Sequence, residues 1–210
     1  MLSLGATFAA DDNVTDVIAA DDEIAIGEEV LAVEEDVQAL SESESIIVTN
    51  DNLADVVSPD GGINENITAD ELIFKGTFED LNLSVDRPIK VTGDEAVLIN
   101  PDILIDSSNV TFSGFTINQT KHINALFIGG LEDDPISDVT ISNVKIDFKD
   151  IGGAPDNIAI EAVNVNFLNL INNAINYVGA TDGSYANNAI SLRNSNASII
   201  SGNKFNILSV

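Results

Sequence analysis

Ser-Asn-Val-Thr-Phe-Ser-Gly-Phe-Thr-Ile, from Ser108 to Ile117, is answered further along the chain by Ser-Asp-Val-Thr-Ile-Ser-Asn-Val-Lys-Ile, from Ser137 to Ile146. Two looser copies follow, Leu170 to Tyr177 and Ile200 to Ile207, so that Phe112, Ile141, Leu170 and Ile200 recur at a nearly constant spacing. Self-similarity at a fixed period of this size is the mark of a repeat protein. Inside each copy the apolar residues alternate with small polar ones: Val110, Phe112, Phe115 and Ile117 in the first, Val139, Ile141, Val144 and Ile146 in the second. That is strand periodicity, not helix periodicity. Each copy therefore reads as two short strands meeting at a corner. The corner residues are Ser113-Gly114, Ser142-Asn143, Asn172-Asn173 and Gly202-Asn203, types that tolerate left-handed backbone. A unit this small cannot bury its own apolar face, and it gains a core only when the next unit stacks on it. The expectation is an all-β parallel β-helix. The eight apolar residues point inward in columns, and Asn143, Asn173 and Asn203 stack at equivalent corners as an amide ladder.

Composition agrees with such a core and limits what else the chain can do. Of 210 residues 44% are hydrophobic, cysteine is absent, and 35 acidic residues against 8 basic ones give a net charge of −27. Disulfides and cysteine-ligated metals are excluded, and nucleic acid or anionic lipid would be repelled. The charge is uneven. Residues 1 to 80 hold 21 acidic residues and one basic one, Lys75, while residues 81 to 210 hold 14 acidic and 7 basic.

Four regions follow from this pattern. Residues 1–10 read like the last third of a secretory signal, with small residues around Thr7 to Ala10 before Asp11-Asp12, although the basic start is missing. Residues 11–45 carry 13 acidic side chains, no basic ones and no aromatics, and read as a disordered acidic linker. Val30, Val33 and Val37 also permit a helical stretch that could find a partner. Residues 46–80 are placed to cap the open end of a solenoid: a strand from Ile46, a short helix over Leu53 to Val57 with Asn50-Asp51-Asn52 as N-cap cluster, and a return to strand over Leu72 to Phe78. Residues 81–210 hold the repeats, with loops leaving the stack at 118–124, 129–135, 150–156 and 179–186. The last copy is followed only by Leu208-Ser209-Val210, so further turns are expected in a longer parent, and this end is expected to fray or to associate end to end. No run approaches the ~20 apolar residues of a membrane helix.

The phrases Thr68 to Phe78, Arg87 to Leu98, Ser108 to Thr111 and Phe115 to Ile117 resemble the adhesin-like surface proteins of methanogenic archaea. The resemblance spans roughly residues 46 to 207. It implies a secreted, cell-surface or cell-wall protein with right-handed parallel β-helix repeats, no catalytic motif, no cofactor, and an unidentified surface ligand, a glycan or another cell.

The residues themselves offer little chemistry. His122, the one histidine, lies beside Lys121 in a loop and has no metal-ligating or triad partner in the sequence pattern. Asp133-Asp134 is the best carboxylate pair for a hydrolase, yet it reads as a solvated loop. Asp133, Asp134 and Asp138, or Asp147, Asp150 and Asp156, could gather oxygen ligands for calcium, but neither group has EF-hand spacing. Six sequons occur, at Asn13, Asn66, Asn82, Asn109, Asn118 and Asn196, with Asn13 and Asn66 the more credible acceptors. Tyr185 is the one loop aromatic and reads as a packing wedge. The functional expectation is a non-catalytic surface module. A polysaccharide lyase or glycosidase on the same fold and a structural wall spacer are the alternatives.

Overall fold

The computed structural model describes residues 44–121, 124–149, 157–179 and 188–209. The signal-like segment 1–10, nearly all of the acidic linker, Asn13, His122, Asp150, Asp156 and Tyr185 lie outside the described residues.

The chain opens with β1 (Ser45–Val48) and one turn of helix, α1 (Leu53–Val56). Three strands follow, β2 (Glu71–Phe74), β3 (Thr77–Glu79) and β4 (Asn82–Val85), and then three more, β5 (Lys90–Gly93), β6 (Val97–Ile99) and β7 (Asp102–Ile105). The next set is β8 (Thr111–Ser113), β9 (Thr116–Gln119) and β10 (Asn124–Gly129). A short strand, β11 (Ile136–Ser137), precedes β12 (Thr140–Ser142), β13 (Lys145–Lys149) and β14 (Ile158–Val163). Another, β15 (Val165–Asn166), precedes β16 (Asn169–Ile171), β17 (Ala174–Gly179) and β18 (Asn188–Arg193). The described chain closes with β19 (Ile199–Ser201) and β20 (Lys204–Ser209).

The fold is all-β with almost no helix, and the pairings between these strands are parallel. A first sheet has the order β1-β2-β5-β8-β12-β16-β19, a second β3-β6-β9-β13-β17-β20 and a third β4-β7-β10-β14-β18, with β11-β15 as a small fourth. From β2 onward the chain visits the first, second and third sheets in rotation, so each strand pairs with its counterpart from the previous round. In the first sheet Leu72 pairs with Val91, Val91 with Phe112, Phe112 with Ile141, Ile141 with Leu170 and Leu170 with Ile200. The two steps from Leu72 to Phe112 are short, and those from Phe112 onward are longer. The early rounds are tight, and later ones add β11 or β15 and the longer strands of the third sheet.

These registers put every second side chain inside. Val110, Phe112, Phe115, Ile117, Val139, Ile141, Val144 and Ile146 are each at most 1% exposed. They join one cluster that runs from Val48 to Ala189. Aromatic rings pack both within and between rounds: Phe112 stacks on Phe115 at 4.4 Å and Phe74 meets Phe78 edge-on inside a round, while Phe74 reaches Phe115 edge-on two rounds ahead and Phe148 stacks on Tyr177 of the next round at 5.2 Å. Each fully buried aliphatic side chain contributes roughly 1.5–3 kcal/mol, so the columns supply the cohesion that a single round lacks.

The corners explain much of the asparagine. Gly114, Asn143, Asn172 and Gly202 each follow a strand of the first sheet with φ between +54° and +79°. The N–H groups of Gly114, Asn143 and Asn172 donate to the carbonyls of Ser142, Ile171 and Ser201, one round ahead. Asn, Asp and Gly enter the left-handed region at least strain, which is why they hold this column. Gly114 has a second reason, since a Cβ there would stand 2.5 Å from the Gly93 carbonyl oxygen.

The expected ladder of Asn143, Asn173 and Asn203 is corrected by this register. Asn143 aligns with Asn172, not Asn173, and is exposed at its corner. Asn173 and Asn203 sit one position further, where earlier rounds place Val144 and Phe115, and their amides turn toward the core. Asn173 accepts from the Val144 N–H at 2.9 Å and donates to the Ile141 carbonyl at 2.9 Å. Asn203 accepts from the Asn173 N–H at 2.8 Å and donates to the Leu170 carbonyl at 2.7 Å. The bonds run from amide to backbone across rounds, which satisfies buried polar groups without an amide-to-amide stack.

At the N-terminal end, β1, β2 and β3 already belong to the main sheets, so the cap expected over 46–80 narrows to the segment between β1 and β2. Val56, Val57 and Ile63 from that segment are buried against the core. Asn52 makes no side-chain cap to α1; its amide oxygen instead accepts from Thr49 N–H at 2.7 Å and its NH2 donates to the Ile47 carbonyl. The opposite end differs. There β18, β19 and β20 are the last strands of their sheets, and Ile200, Phe205 and Ile207 are 49%, 47% and 61% exposed. Their counterparts one round earlier, Leu170, Ile175 and Tyr177, are at most 1% exposed.

Candidate functional site: a trough on the third sheet

The third sheet presents a side chain from each strand outward, at the positions alternate to its inward column of Val85, Ile105, Ile128, Ala162 and Leu192. The outward set, joined by register, is Ser84, Leu104, Phe127, Glu161 and Ser191. Two apolar residues, Leu104 and Phe127, thus lie side by side on an outer face. The run Ala125-Leu126-Phe127-Ile128 is continuously apolar, so alternation could not show which member points out.

A groove flanks this pair at each end of the strands. The first, about 700 Å³, lies over the strand starts, where Asp60, Asn82, Asp102, Lys121 and Asn124 border it together with Phe127. The second, about 710 Å³, lies over the strand ends, where Asp106, Ser107, Ser108 and Asp134 border it, and Phe127 and Leu104 line it as well. Both grooves border Leu104 and Phe127, so along β7 and β10 an apolar pair stands between two carboxylate-bordered grooves, together the trough.

Its walls are fixed by short-range chemistry. Asn82 donates to the Asp60 carbonyl at 3.0 Å, and Gly61, with φ +96°, approaches that amide more closely than any Cβ allows. Lys121 is held by both carboxylate oxygens of Asp80, at 2.6 and 2.8 Å. Asn124 donates to buried Glu161 at 3.0 Å, and Arg193 donates to the other Glu161 oxygen, so the charge beside Phe127 is paired. The turn below the second groove is closed by the Leu131 N–H on the Asp134 carbonyl at 3.1 Å.

Asp106 is a trough carboxyl whose pKa is raised. Partial burial in the groove wall, then the charge of Asp86, which follows Val85 as Asp106 follows Ile105, holds its pKa above the ordinary carboxylate range against a bond from its own backbone N–H. A folded-state pKa raised in this way makes the ionised form a penalty on the fold. The penalty is present above the folded pKa and vanishes as pH falls through it. Asp106→Asn should therefore raise the melting temperature at pH 7 and leave it unchanged near pH 3. An equal gain at both pH values would remove the electrostatic account.

The residues expected from sequence to carry chemistry are mostly placed apart. Asp133 and Asp134 lie in an exposed loop, and Asp134 alone borders the trough. Asp138 is a left-handed corner residue whose carboxylate accepts from the Ser137 hydroxyl at 2.8 Å. Asp147 accepts from Lys145 at 2.6 Å and Asn176 at 2.5 Å; burial pushes its pKa up, but these bonds together outweigh it and leave the pKa lowered. Among the described residues no group of three or more His, Asp or Glu side chains is arranged to hold a metal ion. Asn66, Asn82, Asn109 and Asn196 are exposed, and the amides of Asn82 and Asn196 are engaged, with the Asp60 carbonyl and the Asn166 side chain respectively. No described helix is long and apolar enough to cross a membrane. Comparison with known protein families, curated proteins and solved structures returned no match for this chain.

Proposed function

We propose that the chain is a secreted, adhesin-like surface module built as a right-handed parallel β-helix, which binds a surface ligand through the trough on its third sheet without transforming it. The rotation through three parallel sheets at constant register is the observation that carries the coil. Right-handedness follows from the strong preference of parallel β crossovers for that hand. The trough carries the binding role, because an apolar pair between polar ends on a rigid sheet is the arrangement that orients a ligand. The likeness to surface proteins of methanogenic archaea gives the setting, and the net charge of −27 suits a protein that remains free of anionic surfaces.

A glycan array and a whole-cell binding screen, run with the parent chain and Phe127→Ala, test this reading. Binding that Phe127→Ala abolishes supports it, and a chain that binds nothing would be a wall spacer. The carbohydrate-active alternative draws on one observation, the raised pKa of Asp106, which suits a general acid. Release of reducing ends from any polysaccharide, lost in Asp106→Asn, would favour that alternative. The exposed apolar end at Ile200, Phe205 and Ile207 is the proposed site of self-association for the 210-residue chain. Light scattering should rise with concentration, and Phe205→Lys with Ile207→Lys should suppress it; a strictly monomeric parent chain would contradict it.

A further inference from the structure

We infer that the trough takes a linear glycan bearing free amino groups or no charge, laid along β7 and β10 with one sugar face on the Phe127 ring. This rests on the reading of the module as a binding scaffold and adds the chemical class of what it binds.

The ring is seated in a way that an ordinary packed phenylalanine does not need. A Cβ on Gly129 would stand 2.6 Å from Phe127 Cε1 and 3.1 Å from Cζ. The ring therefore leans along its own strand over the bare Cα of Gly129, and both grooves border it. An aromatic surface laid along a sheet face offers a platform for the apolar C–H face of a sugar ring.

Charge then selects among sugars. Asp60 and Asp102 stand at one end of the trough, Asp106 and Asp134 at the other, and the one cation bordering either groove among the described residues, Lys121, is held by Asp80. A uronate, sulfated or phosphorylated chain would meet like charge at both ends. An amine would meet opposite charge, and sugar hydroxyls would find carboxylate acceptors. From Asp102 to Asp106 the strand spans about 13 Å at ~3.3 Å per residue, room for a short oligosaccharide.

A peptide fits less well. Extended peptides are held by adding a strand to a sheet edge, but β7 is already paired with β4 on one side and β10 on the other. The trough offers side chains and no free backbone ladder.

Titration calorimetry with the full chain tests the inference, using a glucosamine oligomer, its N-acetylated counterpart, an oligogalacturonate and a Lys-Leu-Lys peptide as probes. The expected order is glucosamine oligomer, then the N-acetylated form, with the uronate not binding, and added salt weakens the first several-fold. Phe127→Ala should weaken binding by about tenfold or more. Gly129→Ala retains the ring but displaces it, and should weaken binding several-fold with an unchanged melting temperature. Oligogalacturonate binding as tightly as the amine, through Phe127, would overturn the charge assignment and leave the scaffold reading standing. The peptide binding more tightly than any sugar would overturn the glycan. No binding by any probe, or binding indifferent to Phe127→Ala, would overturn the trough as the site; whole-cell attachment that persists in Phe127→Ala would then show that the module binds elsewhere.

Discussion

Replacing Ile141 by aspartate should unfold the chain or leave it barely folded. Ile141 is fully buried between Phe112 and Leu170 in the first sheet's inward column. The substitution forfeits the burial of an aliphatic side chain and places an unpaired carboxylate where no partner can reach it, roughly 5 kcal/mol or more in total. Whole domains are stable by only about 5–15 kcal/mol. Thr140→Asp, one residue away on the outer face, should shift stability by less than about 1 kcal/mol. Urea denaturation of both variants reads the contrast, and equal effects would mean that the inward register is misassigned.

The second large effect is expected at Asn173. Its buried amide is the hydrogen-bond partner of the Val144 N–H and the Ile141 carbonyl, so Asn173→Gly removes a partner from each of these backbone groups. Leaving the buried Val144 N–H unmet and taking one bond from the Ile141 carbonyl costs roughly 1–3 kcal/mol. Asn143→Gly is the control: it sits in the left-handed corner column at φ +54°, where glycine is at ease, and should change stability by less than about 0.5 kcal/mol. If the two variants lose the same stability, the division of labour between corner and inward amide is wrong.

That division shows where sequence reading reached and where it stopped. The recurrence of Phe112, Ile141, Leu170 and Ile200 was legible because an inward column needs an apolar residue at each level, and those four are register partners in the structure. The doubled Asn172-Asn173 was not legible. One asparagine there satisfies a backbone angle and the next satisfies buried backbone groups, and composition cannot separate these demands. The early rounds also escaped the repeat period, because Leu72, Val91 and Phe112 follow one another more closely in sequence than the later partners do. Phe127 was hidden by its apolar neighbours. Only its pairing with Leu104, on the strand one round earlier, reveals that two apolar side chains meet on an outer face. Asp106 gave no signal either, since its character comes from the groove wall and Asp86 rather than from any local motif.

The core, the corners and the trough all depend on successive rounds lying side by side in a fixed parallel register, and the absence of cysteine makes that directly measurable. Ser113 and Ser142 are partners on adjacent strands of the first sheet, about one strand spacing (~4.8 Å) apart, within reach of a disulfide. Ser113 and Ile171 share the same line of register but are two spacings apart, roughly 9–10 Å, beyond that reach. Under mild oxidation, the Ser113→Cys, Ser142→Cys chain should close an intramolecular disulfide in nearly every folded molecule, while the Ser113→Cys, Ile171→Cys chain should remain reduced. Intact-mass measurement after alkylation distinguishes the two. No bridge in the first pair, or equal bridging in the second, would contradict the stacked register on which the core, the corners and the trough all rest.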